Sequence, residues 1–371
     1  MIRSLAFVLC LAASTVLAQG VNDTEIVLGQ SAALSGPAQQ LGKDMRDGAL
    51  LYFGQVNQHG GVNGRHIVLK TLDDGYDSAR AAANTRKLIE EERVFALFGY
   101  VGTPTSAASL PIFTQAKVPF VGPFTGAEIL RNPMNPYVFN VRASYFDETE
   151  AIVQHLTAMS IDRIAIFYQD DAYGQAGLAG VERALKKRSL ALVARGTVER
   201  NTVDVKKAVD EIGKADPQAV IMISAYTSCA AFIRQMKQAQ RNPTFWNVSF
   251  VGSKALAGEL GDDGRGVEIS QVMPFPWDNS IPVVKEYRHA AEAAGAEVGF
   301  GTLEGYIAAK VMTEGLRRAG RKLDRESFLK AMESMGDFDT GGFKVSYGPG
   351  TRAGSKFVDL TIISRGQKFV R

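Results

Sequence analysis

Glu25-Ile-Val-Leu-Gly-Gln30, Leu34-Ser-Gly-Pro37, Gly60-Gly-Val-Asn-Gly-Arg65 and Leu72-Asp-Asp74 decide how this chain is read. The first is a strand-like apolar run that enters the turn at 34–37. An apolar-periodic helix at 41–58 follows, then the glycine turn and a second strand at 66–72. Outward from there the pattern keeps alternating. Strands are expected at 25–30, 66–72, 94–99, 119–122, 163–168, 191–196, 218–223, 247–251 and 267–272. Between them lie helices at 41–58, 78–91, 104–116, 145–159, 173–188, 204–214, 227–240 and 254–260. Val94-Phe-Ala-Leu-Phe98 and Ala219-Val-Ile-Met-Ile223 are apolar throughout, which suits parallel strands covered on both faces. Regular βα alternation predicts a doubly wound α/β fold.

The alternation runs over 25–122 and restarts at Arg163-Ile-Ala-Ile-Phe-Tyr168, so two similar lobes are expected. Met273-Pro-Phe-Pro-Trp-Asp278 breaks it again and reads as a crossing between lobes. Helices at 282–294, 302–319 and 325–335 follow, then strands near 341–347 and 356–364. The expected division places 22–142 and 277–346 in lobe 1, and 143–276 and 347–371 in lobe 2.

Residues 1–18 read as a secretory signal peptide. Arg3 precedes an apolar run over Leu5 to Leu17, with small residues Val16 and Ala18 before the cut, and the run is too short to span a membrane. Cys10 lies inside that run, where it does not suit a lipid anchor. A soluble protein exported to the periplasm is expected. Removing the leader leaves 353 of the 371 residues, enough for two domains. The formal charge of +3 falls by one with Arg3, and no basic run carries interleaved aromatics, so nucleic acid is not an expected partner. Cys229 is then alone, which excludes an internal disulfide and reads as a buried apolar cysteine.

Walker, Gly-x-Ser-x-Gly and His-Glu-x-x-His sequences are absent, and the 4 histidines show no metal-ligand spacing. No catalytic residue, metal or cofactor is expected. The acids Asp73, Asp74 and Asp77 read as turn and cap residues. Gly99-Tyr-Val-Gly-Thr-Pro-Thr-Ser106 follows a buried strand and opens a helix, with Thr103 suited to the N-cap and Pro104 to the first turn. Its free N–H groups face the crevice at the carboxyl end of the sheet, where an open α/β sheet binds ligands. Pro123-Phe-Thr-Gly126 supplies a second such loop, so Tyr100, Thr103, Phe124, Thr125 and Gly126 form a candidate carboxylate cradle; ordinary helix capping is the rival reading. In the second lobe Tyr173 and Tyr226 each follow a strand. An apolar face with a polar tip suits a cleft, though packing is the rival here too.

Ser35-Gly-Pro37 with Gly42, Asn57-x-x-Gly-Gly61-Val-Asn-Gly64, Asp73-Asp74, Lys87-Leu-Ile89, Gly99, Tyr173-Gly174, Phe250-Val-Gly252, Glu304-Gly-Tyr306 and Ala319-Gly320 together resemble the type I periplasmic solute-binding proteins, in the leucine/isoleucine/valine-binding branch that serves ABC importers. The resemblance covers nearly the whole chain after the leader. It implies two Rossmann-like lobes joined by a three-strand hinge, a small carboxylate-bearing ligand between them, an ABC transporter permease as partner, and a monomer without enzymatic activity. It also implies that Thr103 grips the ligand carboxylate with help from Phe124 to Gly126, with Tyr173 and Tyr226 at the second-lobe edge. Two positions depart from it: Leu41 stands where an aromatic wall is common, and Ser253 and Lys254 stand where a glutamate meets the ligand ammonium. A lysine there repels an ammonium, which points to an organic or aromatic acid; the rival is an amino acid whose amine meets Glu304 or Asp278. A soluble sensor of the same fold and, behind it, a secreted hydrolase are the alternative functions.

Overall fold

The computed structural model describes residues 19–371; the signal peptide expected over 1–18 lies outside them. The first lobe opens with β1 (Glu25–Ala32), α1 (Gln39–Gln58), β2 (His66–Asp73), α2 (Ser78–Glu90), β3 (Ala96–Phe98), α3 (Thr103–Gln115), β4 (Phe120–Val121) and β5 (Val138–Phe139). All five strands are parallel, in the order β2-β1-β3-β4-β5. The chain then builds the second lobe from α4 (Tyr145–Ala158), β6 (Ile164–Gln169), α5 (Ala172–Lys186), β7 (Ala194–Val198), α6 (Lys206–Ala215), β8 (Ala219–Ile223), α7 (Tyr226–Gln238), β9 (Thr244–Asn247), α8 (Ser253–Leu260) and β10 (Glu268–Gln271). It returns to the first lobe with α9 (Pro282–Ala294), α10 (Phe300–Ala319) and α11 (Arg325–Glu333). A small antiparallel sheet follows, made of β11 (Gly336–Asp339), β12 (Lys344–Gly348) and β13 (Thr351–Gly354). Finally β14 (Asp359–Ile363) and β15 (Phe369–Val370) add antiparallel to the second sheet, whose order is β7-β6-β8-β9-β10-β14-β15.

This is the α/β architecture of two parallel-sheet lobes that the alternation predicts. The strand expected at 247–251 is displaced: β9 ends at Asn247, and Ser249–Val251 forms a single 3-10 turn. A short apolar run does not distinguish a strand from a buried turn. Strands β5, β11, β13 and β15 were not expected; at two to four residues they carry too little periodicity to read. The last crossing also differs. Gly348 pairs with Thr351, and the Asn140 N–H donates to the Arg352 carbonyl, so the chain leaves the first lobe after 354 rather than 346.

Segments 140–144, 272–281 and 355–358 connect the lobes. The first and third run side by side, with the Ser355 N–H donating to the Val141 carbonyl at 3.0 Å. Helix α4 starts directly from the first crossing. Ser144 and Asp147 close a capping box there, which satisfies N–H groups the helix leaves free. In the first lobe α1 packs on α10 through glycines: a Cβ on Gly48 would overlap the Thr302 carbonyl. That close approach brings Glu304 of α10 beneath the first crossing, beside Arg142. The second core is densely aromatic, with Trp246 fully buried and Phe167 stacked on Phe232 at 4.3 Å. Burying each such side chain contributes roughly 1.5–3 kcal/mol.

Candidate functional site

Parallel strands send their carboxyl ends the same way, and the loops after β1 to β4 of one lobe face those after β6 to β9 of the other. The lobes touch along this line. Arg200 Nη1 donates to Ser78 Oγ at 2.8 Å, Asn201 Nδ2 to the Gly75 carbonyl at 3.2 Å, and Gln169 Nε2 to the Tyr76 hydroxyl at 3.3 Å. Inside lies an aromatic cluster drawn from both lobes. Phe250 stands 4.6 Å from Tyr173, 5.6 Å from Phe124 and 6.0 Å from Tyr76, and Tyr173 stands 5.4 Å from Tyr145.

Thr103 is the first residue of α3, and its hydroxyl shares a 2.7 Å hydrogen bond with that of Thr125. Thr125 Oγ1 also donates to the Tyr145 hydroxyl at 3.3 Å, so the two threonines and Tyr145 form one chain of hydroxyls at the cleft wall. Gly126 permits this arrangement, because a Cβ there would stand 2.6 Å from the Tyr145 nitrogen. Asp171 caps α5 by accepting from the Tyr173 and Gly174 N–H groups, which fixes Tyr173 at the cleft edge. The Tyr173 hydroxyl is buried without a partner, and burial holds its pKa well above the usual tyrosine value. Ser224 Oγ after β8 and Gln169 Oε1 at the end of β6 are likewise unpartnered.

Some of the expected residues fall elsewhere. Tyr100 points into the far core of the first lobe, where its hydroxyl bonds Thr85 at 3.1 Å and its ring packs on Phe120; it is not part of the cleft. Tyr226 and Lys254 border a groove of about 390 Å³ at the mouth, with Gln40 and Glu297. Lys254 pairs with Glu297 across the lobes at 2.9 Å, so its charge is already met by protein. Ser253 lies deeper, bonded by Gln271 Nε2 at 3.0 Å. Leu41 packs against Gly252, and so does form part of the wall.

Sequence reasoning missed Tyr76, Tyr145, Phe250 and Arg142. Tyr76 carried the same signal as Tyr173, a tyrosine just past a strand, and it holds a left-handed φ of 61°, a strained conformation for an aromatic residue. Arg142 is an isolated cation in an apolar crossing and only 1 % exposed. Its Nε and Nη2 donate to the two oxygens of Glu304 at 2.9 Å each, Nη2 also donates to Ser249 Oγ at 3.0 Å, and the guanidinium lies 4.4 Å over the Phe124 ring. Burial works against that charge, but Glu304 and Glu148 outweigh it and push the Arg142 pKa above its usual value. Glu148 is pushed up by burial, against Arg142 and the hydrogen bonds of Ser270 and Ser249.

This arrangement offers polar and aromatic contacts, and no reactive group, to a small molecule. Cys229 is fully buried and burial pushes its thiol up, which disarms it as a nucleophile. Among the described residues no group of three or more His, Cys, Asp and Glu is placed to hold a metal ion. Two α/β lobes clasping a polar and aromatic cleft define a solute-binding protein.

Comparison with known proteins agrees. Residues 25–361 match the family described as periplasmic binding protein, and the chain belongs to that family. It is a binding protein and not an enzyme. It is similar to Leu/Ile/Val-binding protein homolog 7 of Brucella abortus, 26 % identical over 347 residues, covering 87 % of this chain and 84 % of that one. Among solved structures it is similar to a possible leucine/isoleucine/valine-binding protein from Rhodopirellula baltica, with a TM-score of 0.90, 35 % identity, and coverage of 95 % and 98 % of the two chains. A substrate-binding periplasmic protein from Ralstonia solanacearum gives a TM-score of 0.89 at 33 % identity, covering 93 % and 99 %.

Proposed function

We propose that this chain captures a small carboxylate-bearing solute in the periplasm and delivers it, as a monomer without a cofactor, to an ABC importer. The observation that carries this reading is the set of buried, unpartnered polar atoms at the cleft: Tyr173 OH, Ser224 Oγ, Gln169 Oε1 and Arg142 Nη1. Such atoms are costly unless something meets them, and they surround an aromatic surface built by both lobes. The Brucella and Rhodopirellula relatives carry names for leucine, isoleucine and valine, which are carboxylates. The leader expected at 1–18 supports export.

Binding works by lobe closure. A solute that touches both lobes favours the closed form in proportion to its differential affinity. Shifting such an equilibrium from mostly open to mostly closed takes about 5.5 kcal/mol, which a micromolar affinity of about −8 kcal/mol can supply. Small-angle scattering of the chain, titrated with amino acids and organic acids, tests the reading. Compaction on binding is expected, and a rigid particle indifferent to all of them would refute it. Thr103→Ala should weaken binding by roughly 1–3 kcal/mol; unchanged affinity in a folded variant would take Thr103 out of the site.

A further inference from the structure

The carboxylates at the cleft are all engaged by the protein itself. Glu304 gives both oxygens to Arg142. Glu148 accepts from the Ser249 N–H, the Ser249 hydroxyl and the Ser270 hydroxyl. Asp74 accepts from Ser31 and the Tyr76 N–H. Asp171 accepts from the Tyr173 N–H and from Gln169. Asp44, toward the mouth, accepts from Gln40 with Lys254 nearby. Among the described residues, an ammonium entering this cleft would meet no carboxylate that is free of hydrogen bonds from the protein; Asp44 keeps one oxygen without such a bond.

The positive side is different. Arg142 Nη1 is buried and has no partner, although Nε and Nη2 are fully used. Arg142 borders a cavity of about 20 Å³, enough for one oxygen-sized group, lined also by Leu41, Asp44, Phe124 and Glu304 of the first lobe and by Ser249 and Ser253 of the second. Phe124 carries the guanidinium on its ring, and the next residue, Thr125, belongs to the hydroxyl chain. The guanidinium and the two threonine hydroxyls therefore border one loop.

We infer that Arg142 is the anion-binding residue of the cleft, and that the solute is a carboxylate lacking a free ammonium group. This deepens the reading above and rests on it. A carboxylate oxygen at Nη1 makes a charge-assisted hydrogen bond in a dry site, stronger than its neutral counterpart. An α-ammonium there meets the Nη1 donor with another donor, so no hydrogen bond forms and Nη1 stays unpartnered. Lys254, the cation the sequence put forward, pairs with Glu297 at the mouth; Arg142, though paired with Glu304, keeps its Nη1 donor unpartnered deeper in. Because Arg142 sits on a crossing segment and already binds Glu304 of one lobe and Ser249 of the other, an oxygen on Nη1 engages the junction that closure assembles.

The test uses matched probes on the chain without its leader: leucine against 4-methylpentanoate, and phenylalanine against 3-phenylpropanoate and its neutral amide. Calorimetry should find at least one acid bound ten-fold or more tighter than its amino acid and, for the phenyl series, its amide. Arg142→Lys should lose ten-fold or more. Single loss of the arginine strands Glu304, so Arg142→Met with Glu304→Met provides a neutral, repacked control. That double variant, folded by circular dichroism, should bind 3-phenylpropanoate and its amide alike. Tighter binding of leucine or phenylalanine than of their des-amino acids overturns the inference, as does a folded double variant that still prefers the acid. Failure of both acids to bind also overturns it, and compaction by leucine or phenylalanine in that case leaves the closure reading intact.

Discussion

Phe250 is the residue on which the two halves of the molecule converge, and Tyr173 beside it gives the clearest separation of binding from folding. A buried hydroxyl without a partner costs the fold and gains only when a ligand meets it. Tyr173→Phe should therefore leave the melting temperature unchanged or raise it, while weakening solute binding by about 1 kcal/mol, roughly five-fold. Calorimetry and thermal melting on the same samples check both halves; equal affinity would place the hydroxyl outside the site. Glu268 on β10 makes a prediction of another kind. Burial pushes its carboxyl up to about 7. The folded chain then holds this proton more tightly than the unfolded one, so stability falls as pH rises from about 4.5 to about 7 and stays lower above it. Glu268→Gln should remove that slope and melt higher than the parent at pH 8. Parallel pH dependences for the two proteins would show that another group is responsible.

At the scale of elements, most helices were legible because they are long and amphipathic, and α2, α4, α5 and α11 also begin on side-chain caps. Ser144 illustrates this. Its hydroxyl accepts from the Asp147 N–H while Asp147 bonds back, at the point where a crossing becomes α4. Ser144→Ala should cost about 1 kcal/mol of unfolding free energy, read from the urea midpoint at constant slope. A shift below a few tenths would mean that tertiary packing alone holds the helix start. Strands were legible only where they are long. β1 and β8 declared themselves through five or more apolar or alternating positions, whereas β5 and β15 are two residues each, too short to carry a period, and are defined only by pairing with β4 and β14. The displaced β9 follows the same logic, since the apolar residues at 248–251 are buried in a turn rather than paired.

At the scale of the molecule, the lobes meet at the cleft through the aromatic cluster around Phe250 and a set of polar pairs. Arg200 donates to Ser78 at 2.8 Å and stands 5.8 Å from the Tyr76 ring, both in the opposite lobe. Contacts of this kind belong to the closed arrangement. Arg200→Ala should weaken solute affinity by about 1 kcal/mol without moving the melting temperature of the solute-free protein. A melting temperature lowered with affinity intact would assign Arg200 to the stability of one lobe instead.

The sequence alone determined the class of fold, the restart that makes two lobes, and the loops carrying Thr103, Thr125 and Tyr173, because periodicity, caps and strand ends are local properties of a chain. Which way a side chain points, and what lies opposite it, depends on residues far apart in sequence. Only the folded molecule could turn Tyr100 into a core, neutralise Lys254 with Glu297, and bring Arg142 and Glu304 together across 162 positions of chain. Those pairings are set by helix packing and lobe closure, and desolvation there decides which charge remains available to a solute.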